Sequence, residues 1–407
     1  MEMKAEALPA IRRGDPLPWD KKLVFGLQHM FTMFGATVLV PILTGLNITV
    51  ALATAGLGTL LFHLVTKGKV PVYLGSSFAF ISVIILVGKE HGGLQYAQGG
   101  IIIAGLVYAA MALLVYFAGA KFIARLFPPI VTGPIIMVIG LNLAPVAIDM
   151  ASKGWGVAIF TLIVVALVNI FFKGFFRMLP VLIGLAAGYI LSLILGIVDF
   201  SVMEGARWVA LPAFTAPKFD WTAISLIAPV AIVTMVEHFG DILAVGATVE
   251  DDFVKDPGIH RTLLGDGLAT SLAGLLGGPP NTTYSENTGV LALTRVWEPS
   301  IMRVAAVFAI ALSLIEKLGF LIRTIPTAVI GGISIVLFGM IAAIGIRTVV
   351  ENRVDMKLSR NLIIASVILV LGIGGAVLDL GGGIKLAGMS LAAISGIILN
   401  LILPADR

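Results

Sequence analysis

A polar stretch interrupts an otherwise apolar chain at Gly277-Gly278-Pro279-Pro280-Asn281-Thr282-Thr283-Tyr284-Ser285-Glu286-Asn287-Thr288-Gly289. The two prolines remove two backbone donors and the glycines loosen the chain, so a helix cannot run through the stretch unbroken. The run from Thr282 to Ser285 favours extended structure. In hydrocarbon, such backbone survives only inside protein or beside a watery cavity. We therefore expect a substrate site here, and a Pro-Gly loop at the membrane surface is the alternative.

The composition of the chain is that of a polytopic membrane protein. Of its 407 residues, 58% are hydrophobic and 12% are charged, whereas about a quarter of the residues of a soluble protein are charged. The absence of cysteine excludes disulfides, thiolate metal sites and cysteine nucleophiles. The net charge of +4 is modest, and we expect no nucleic-acid partner.

Apolar segments predict about fourteen membrane spans. They lie at about 23–43, 49–65, 70–87, 99–117, 130–148, 157–172, 179–198, 223–245, 263–276, 288–293, 301–315, 328–344, 362–377 and 384–403. Several are shorter than the roughly 20 residues that a straight span needs, so we expect tilts and half-spans. Residues 1–20 lack the apolar core of a signal peptide and are interpreted as a cytoplasmic tail. No room for an added soluble domain is expected.

The positions of the basic residues predict the orientation. With a cytoplasmic N-terminus, the opposite side holds only seven of the 27 lysines and arginines, namely Lys89, Lys153, Arg207, Lys218, Lys317, Arg323 and Lys385. Such a bias toward the inner side is typical of membrane proteins. Both termini, with Lys4 and Arg407, are therefore predicted to lie in the cytoplasm.

A second break resembles the first and suggests an internal duplication. It is Lys67-Gly68-Lys69-Val70-Pro71-Val72-Tyr73-Leu74-Gly75-Ser76-Ser77-Phe78, which opens the third span as the polar stretch opens the tenth. Seven spans separate the two, and an odd number reverses direction. We therefore predict inverted repeats at 21–198 and 223–403, joined by an extracytoplasmic connection at 199–222, with the broken helices meeting near the midplane.

Three acids in or beside the spans are candidates for function. Glu237 and Asp241 are spaced i, i+4 and so share one face of the eighth span, and Glu286 lies in the tenth. Low dielectric disfavours charge, which makes such acids plausible proton carriers and binders of a polar solute. The alternative for the first two is a cytoplasmic helix end, but the apolar residues 242–245 continue the span beyond Asp241.

Two histidines accompany these acids. His29, in the first span, belongs either to a proton network or to the packed core. His238 lies about 100° round the helix from Glu237, so packing against or hydrogen bonding to a neighbouring span is favoured over ligand contact.

Three aromatic residues are candidates for flat walls around a planar ring. They are Phe78 and Tyr284, beside the breaks, and Phe338, in the twelfth span. Ordinary packing is the alternative for all three.

The residues from 286 to 295 carry a recognisable motif. Glu286-Asn287-Thr288-Gly289-Val290-Leu291-Ala292-Leu293-Thr294-Arg295 resembles the [Gln/Glu/Pro]-Asn-x-Gly-x-x-x-x-Thr-[Arg/Lys/Gly] motif of the nucleobase/ascorbate transporter family. The segments 28–29, 33–41, 73–80 and 280–284 are also similar, especially to the uracil:proton symporters of that family. The resemblance covers nearly the whole chain.

The resemblance implies an all-α membrane fold of fourteen spans in two inverted seven-span repeats. Spans 1–4 and 8–11 would form a core domain, and spans 5–7 and 12–14 a gate domain. Short antiparallel strands in spans 3 and 10 would frame the substrate. Members of the family are commonly homodimers through the gate domains, and the implied location is the bacterial cytoplasmic membrane.

The resemblance also implies roles for individual residues. The substrate-binding residues would be Glu237, Glu286, Phe78, Ser77, Tyr284 and Ser285, with backbone groups near Phe78 and Ser285 contributing. The proton-coupling residues would be Asp241, Glu237 and His29, and Phe338 would be the aromatic residue on the gate side. Two departures stand out, because the uracil symporter has histidine at the position of Asp241 and tyrosine at that of Phe338.

The implied function is uptake of uracil coupled to protons, without any cofactor. Two carboxylates and backbone amides at broken helices complement the two N–H donors and two carbonyls of uracil. Xanthine carriers of the family usually have glutamine at the position of Glu286, so the glutamate favours a pyrimidine. A xanthine or other oxopurine symporter is the alternative. A passive nucleobase channel is less favoured. The sulfate/bicarbonate transporters share the fold but usually carry a soluble C-terminal domain, which we do not expect here. An intramembrane enzyme would need a motif such as His-Glu-x-x-His, which the sequence lacks.

Overall fold

The computed structural model describes residues 10–404. Residues 1–9 and 405–407, and with them Lys4, Arg407 and part of the predicted N-terminal tail, lie outside the described residues. The helices are α1 (Trp19–Thr44), α2 (Ile48–Val65), α3 (Ile81–Glu90), α4 (Gln95–Ala118), α5 (Ala120–Leu126), α6 (Pro129–Asn142), α7 (Ala144–Ser152), α8 (Trp155–Phe171), α9 (Pro180–Ile194), α10 (Trp221–Ile227), α11 (Val230–Val249), α12 (Ile259–Leu276), α13 (Ser285–Thr294), α14 (Ser300–Ser313), α15 (Glu316–Arg323), α16 (Thr327–Glu351), α17 (Ser359–Ile373) and α18 (Gly388–Ile402). The strands are β1 (Leu74–Ser76), β2 (Asn281–Thr283), β3 (Val377–Asp379) and β4 (Lys385–Ala387).

Six helical segments are long and apolar enough to cross a membrane by themselves. They are Trp19–Thr44, Ile48–Val65, Gln95–Ala118, Pro129–Ser152, Trp221–Val249 and Thr327–Glu351. A seventh is formed if α14 and α15, which are bent by 79° at their junction, count as one span. Helices α8, α9, α17 and α18 are apolar but shorter. The chain is therefore an integral membrane protein, as its composition predicts.

The two predicted breaks meet as a short antiparallel pair of strands. Leu74 lies opposite Thr283, and Ser76 lies opposite Asn281. Helix α12 ends at Leu276 because Gly277 adopts the left-handed conformation, with φ 90°, and the prolines that follow cannot continue the helix. The strands predicted in the third and tenth spans are thus present and paired, and both are fully buried.

The helices pack in two groups. Helices α1 to α4 pack with α10 to α15. The most extensive of these contacts are those of α4 with α12 and of α2 with α14. Helices α6 to α9 pack with α16 to α18. Contacts between the groups run through α1 with α9, and through α11 with α6 and α18. The strand pair β1–β2 lies within the first group.

Several predicted spans are interrupted where prolines occur. The eighth span is divided between α10 and α11 near Pro229, and the fifth between α6 and α7, where Pro145 occupies the first turn of α7. Proline lacks the N–H that a helix interior needs but is tolerated in a first turn, so a new helix begins at each point. Each pair of helices still forms one segment that is long and apolar enough to cross a membrane, so one predicted span corresponds to each pair.

The prediction that an apolar span begins at about residue 384 is wrong at its start. The strands β3 and β4 form an antiparallel pair there, and α18 begins only at Gly388. The turn between the strands contains Gly381, Gly382 and Gly383, all with positive φ. Glycine adopts this conformation without the steric cost that a Cβ would bring, and the chain can therefore reverse at this point.

Candidate functional site

Tyr284 joins the two breaks. Its hydroxyl donates a 3.0 Å hydrogen bond to the carbonyl oxygen of Ser76 and accepts one of 3.3 Å from Oγ1 of Thr37. Its ring packs so closely over Gly75 that a Cβ at that position would overlap it. Tyr284 is only 5% exposed. Through these contacts it connects β1 and α1 to the end of β2. Its contact with substrate stays a prediction.

Asp241 is bound by two hydroxyl groups of the broken tenth span. Oγ1 of Thr283 donates to Oδ2 of Asp241, and Oγ of Ser285 donates to Oδ1, both at 2.7 Å. Helix α11 therefore contacts the end of β2 and the first residue of α13 through one carboxyl group. Thr283 was not among the predicted site residues, although the Thr-rich run 282–285 was noted for its backbone.

Glu237 and Glu286 face the same region of the protein. The charge of Glu286 acts on Glu237, and the charge of Asp241 acts on both. Glu286 lies in the first turn of α13, where the helix dipole favours a negative charge. The side chains of Ser285 and Glu286 have accessible surface, yet protein atoms surround the Glu286 carboxyl group. We refer to the partly enclosed space beside Ser285 and Glu286 as the cleft.

The first break contributes Ser77 and Phe78 to the same region. The backbone N–H of Ser77 donates a 2.9 Å hydrogen bond to the carbonyl oxygen of Pro280. Its buried Oγ has no partner among the described residues and could bind a ligand. The ring of Phe78 meets that of Phe338 edge to face, with centroids 6.1 Å apart and planes at 72°. Phe338 lies on α16, so this contact joins the two groups of helices.

His29 binds the signature motif rather than standing alone in α1. Nδ2 of Asn287 donates to Nδ1 of His29 at 3.0 Å and to its carbonyl oxygen at 3.1 Å. Because Nδ1 accepts, the neutral ring carries its hydrogen on Nε2. Nε2 is buried and has no partner in the described part of the chain. Asn287 belongs to the motif but was not predicted as a site residue.

His238 points away from the cleft and toward helix α12, as its angular position predicted. Its Nδ1 lies 3.2 Å from Oδ2 of Asp266, and both side chains are fully buried. Asp266 was missed by the sequence reasoning. The signal was available, because it is an acid within the predicted ninth span, and the same rule had selected Glu237.

Two cavities are lined by residues other than Glu237, Asp241 and Glu286. One of about 380 Å³ is lined by Arg12, Arg13, Lys69, Trp297 and their neighbours. Another, of about 110 Å³, is lined by Asn47, Glu316, Arg323 and their neighbours. We place the candidate site at the strand pair nevertheless, because there acids from α11 and α13 lie close to the unpaired hydroxyl of Ser77.

Comparisons with known proteins cover nearly the whole chain. Residues 20–381 match the sequence model Xan_ur_permease, of the permease family. The chain is 48% identical over 397 residues to the uracil permease of Bacillus caldolyticus, covering 94% of this chain and 92% of that protein. It is 47% identical over 412 residues to the uracil permease of Bacillus subtilis (strain 168), covering 96% and 94%. Among solved structures it resembles the transmembrane domain of a cyanobacterium bicarbonate transporter, BicA, with a TM-score of 0.67, 17% identity and coverage of 93% and 96%.

Proposed function

The chain belongs to the permease family, and we propose that it is a transporter, not an enzyme, that carries uracil across the membrane together with protons. The similarity to two uracil permeases extends over nearly the whole chain and supports uracil as the substrate. The likeness to the bicarbonate transporter, at 17% identity, concerns the fold alone. The observation that carries the proposal is the convergence of acids from α11 and α13 at the strand pair.

The acids and the broken helices complement uracil chemically. Glu237 and Glu286 supply acceptors for the two ring N–H groups, each worth about 1.5–3 kcal/mol when the acceptor is charged. The backbone N–H groups at the start of α13 and the hydroxyl of Ser77 supply donors for the two carbonyls. Phe78 supplies an apolar wall beside the ring. An oxopurine would need a wider space between the same groups.

Asp241 supplies the proton site in this proposal. A deprotonated carboxylate accepts hydrogen bonds from both Thr283 and Ser285. A protonated one becomes a donor through one oxygen, so one of the two hydroxyls must accept that hydrogen bond instead of donating. Because Ser285 directly precedes Glu286, protonation at Asp241 is transmitted to the substrate acid. His29 contributes through Asn287, which lies on the other side of Glu286.

The packing of the helices supports fourteen spans in two inverted repeats. The six long segments, the bent pair, the four short helices, α12 and the two broken segments would together make fourteen crossings. The contact of α4 with α12 then has a counterpart seven spans on, that of α2 with α14. The contacts of α8 with α16 and with α9 correspond to those of α6 with α17 and of α17 with α18.

In this proposal, the two groups of helices are the core and gate domains. The first holds both breaks and all three acids, and the second meets them through Phe338. Movement of one group against the other would open the cleft alternately to the two sides. Exposed apolar side chains on α8 and α17, among them Ile163, Ile170, Leu362 and Val370, offer surface for lipid and for a second copy of the chain. A homodimer in the bacterial cytoplasmic membrane is part of this proposal.

Contacts among the connections support the predicted orientation. Arg12 pairs with Glu250 and Lys69 pairs with Asp256, and all four lie in segments predicted to face the cytoplasm. On the other side, the backbone N–H of Lys218 donates to the carbonyl oxygen of Gln95, and that of Lys317 to Arg207. These contacts support the proposed sorting of the basic residues to the two ends of the protein.

Uptake of labelled uracil into proteoliposomes, with and without an imposed pH gradient, tests the proposal. We expect accumulation against the uracil gradient only when the outside is more acidic, and its loss on adding a protonophore. Equilibration without accumulation would indicate a passive channel. Stronger competition by xanthine than by uracil would favour the oxopurine alternative.

A further inference from the structure

A second polar cluster lies behind the substrate acids, between α4, α11 and α12. His238 and Asp266 are 0% exposed and Tyr108 is 1% exposed. Nδ1 of His238 lies 3.2 Å from Oδ2 of Asp266. The Tyr108 ring stands edge to face with the imidazole, at 6.5 Å between centroids, and Phe62 does so at 6.4 Å.

The polar atoms of this cluster have not found ordinary partners. Neither ring nitrogen of His238, neither carboxylate oxygen of Asp266 nor the hydroxyl of Tyr108 makes a well-formed hydrogen bond within residues 10–404. Leaving such groups buried and unpaired costs about 1–3 kcal/mol each, and more for charged groups. A nitrogen and an oxygen that approach to 3.2 Å without a proton between them would repel, so the pair needs at least one shared proton.

Close packing keeps bulk water from replacing these partners. A Cβ at Gly267, one residue after Asp266, would overlap the Tyr108 side chain. At Gly265, on the other side, it would lie 2.9 Å from the Phe62 ring. Helices α4 and α2 therefore press directly against α12 at this level.

The cluster is electrostatically connected to the site. The charge of Asp266 acts on Glu237 and on Asp241, and that of His238 acts on Asp241. The titratable groups that face the pair are Tyr108 from α4 and these two acids from α11, while α2 presents the uncharged Phe62. A proton gained by the pair removes one negative charge near both acids of α11.

We propose that His238 and Asp266 form an internal proton-holding site, separate from the groups that contact the nucleobase, with Tyr108 as its third member. The inference rests on the proposed proton-coupled function. With one proton between Nδ1 of His238 and Oδ2 of Asp266, the pair is a neutral imidazole beside a carboxylate with charge −1, and uptake of a second proton, at Nε2, brings the charge to 0. Through its charge the pair sets the proton occupancy of Asp241. All three act as positioning residues, because none of them touches the substrate.

Three variants of the full-length protein test this site in proteoliposomes. Asp266→Asn, His238→Gln and Tyr108→Phe are compared for uracil exchange at equal pH and for accumulation driven by a pH gradient. We expect exchange to stay near the wild-type rate while the pH midpoint of accumulation moves by about one unit, most in Asp266→Asn and least in Tyr108→Phe. Thr262→Val is the matched control, because Thr262 is equally buried one turn earlier and bonds only its own helix.

The outcomes separate this inference from the proposed function. If the wild type does not accumulate uracil under a pH gradient, the proposed function fails. If it does, and all three variants keep the wild-type midpoint, the inference alone fails. Parallel loss of exchange and accumulation in folded protein would assign the cluster a purely structural role and would also overturn the inference. Should Asp266→Asn not fold, His238→Gln and Tyr108→Phe decide.

Discussion

The hydroxyl of Thr283 donates a 2.7 Å hydrogen bond to Oδ2 of Asp241, across 42 residues of sequence. With Ser285 on the other oxygen, the carboxyl group has one donor for each of its atoms. As drawn, both hydroxyls donate to a carboxylate, whereas a carboxylic acid would itself donate to one of them. A change in protonation at Asp241 therefore reverses a hydrogen bond to Thr283 or Ser285, next to Glu286.

Replacing Thr283 by valine should shift the pH dependence of uptake. The change preserves shape and strand preference but removes the donor to Asp241, a bond worth about 1.5–3 kcal/mol. The protonated state is then relatively favoured, and uptake should persist to a pH about one unit higher. Uptake measured across a pH series checks this. Thr282→Val is the control, since the Thr282 hydroxyl is buried without a partner among the described residues, and a wild-type profile in Thr283→Val would contradict the expectation.

Neutralising either substrate acid should abolish or severely reduce uracil binding. In Glu237→Gln and in Glu286→Gln the charged acceptor is lost, and one amide donor is brought toward a ring N–H. We expect affinity to fall at least about tenfold. Equilibrium binding of labelled uracil to purified protein measures this. Glu351→Gln, at the exposed end of α16, is the control, and near-normal binding by either variant would remove that acid from the site.

Asparagine in place of Asp241 should uncouple transport from pH. The amide keeps the size of the side chain and one acceptor but cannot take up a proton. We expect uracil exchange to continue while accumulation under a pH gradient is lost. Asp256→Asn, which neutralises an acid in a loop near Lys69, is the control. Robust pH-dependent uptake by Asp241→Asn would remove the coupling role assigned to this residue.

Alanine at Gly75 should disrupt the strand pair. Its Cβ would overlap the Tyr284 ring and lie 2.8 Å from Oγ1 of Thr37, and overpacking of this kind costs about 1–3 kcal/mol. We expect a lower melting temperature and weaker uracil binding in Gly75→Ala. Gly93→Ala, where nothing lies within 4 Å of the added atom, should leave both unchanged. Equal melting temperatures for the two variants would refute the close contact.

The ionised carboxylate of Asp220 should stabilise the protein, and this stabilisation should be lost at strongly acidic pH. It caps α10 by accepting a 3.0 Å hydrogen bond from the backbone N–H of Ala223, and this bond holds the pKa of Asp220 below its ordinary value of 3.8. The stabilisation is therefore present above about pH 4 and is lost as the pH falls through the folded-state pKa.

Asp220→Ala should accordingly cost about 1 kcal/mol at neutral pH. Thermal unfolding of the purified protein at pH 7 and at pH 3.5 measures the difference, which should narrow at the lower pH. Asp220→Asn keeps the cap and tests the separate contribution of the 2.9 Å contact with His91. A cost for Asp220→Ala that is independent of pH would contradict this account.

Local sequence signals predicted much of the fold. Pro279 and Pro280 locate the break because proline acts on its own residue and its neighbours, and the i, i+4 spacing of Glu237 and Asp241 places both on one helix face. The run of glycines at 381–383 falls between two predicted spans, where a turn is expected, but the strands on either side of it were not predicted. His238 was correctly directed to a neighbouring helix, but its partner Asp266 could not be named from spacing.

The sequence by itself determined that this is a membrane protein with two interrupted helices, and where those interruptions lie. These properties depend on the solvation and backbone chemistry of neighbouring residues. Only the tertiary structure decided that Leu74 lies opposite Thr283, that Asp241 binds Thr283 and Ser285, and that Asp266 approaches His238. Such pairings join segments far apart in the chain, and they are selected by how whole helices fit together, which no short stretch of sequence specifies.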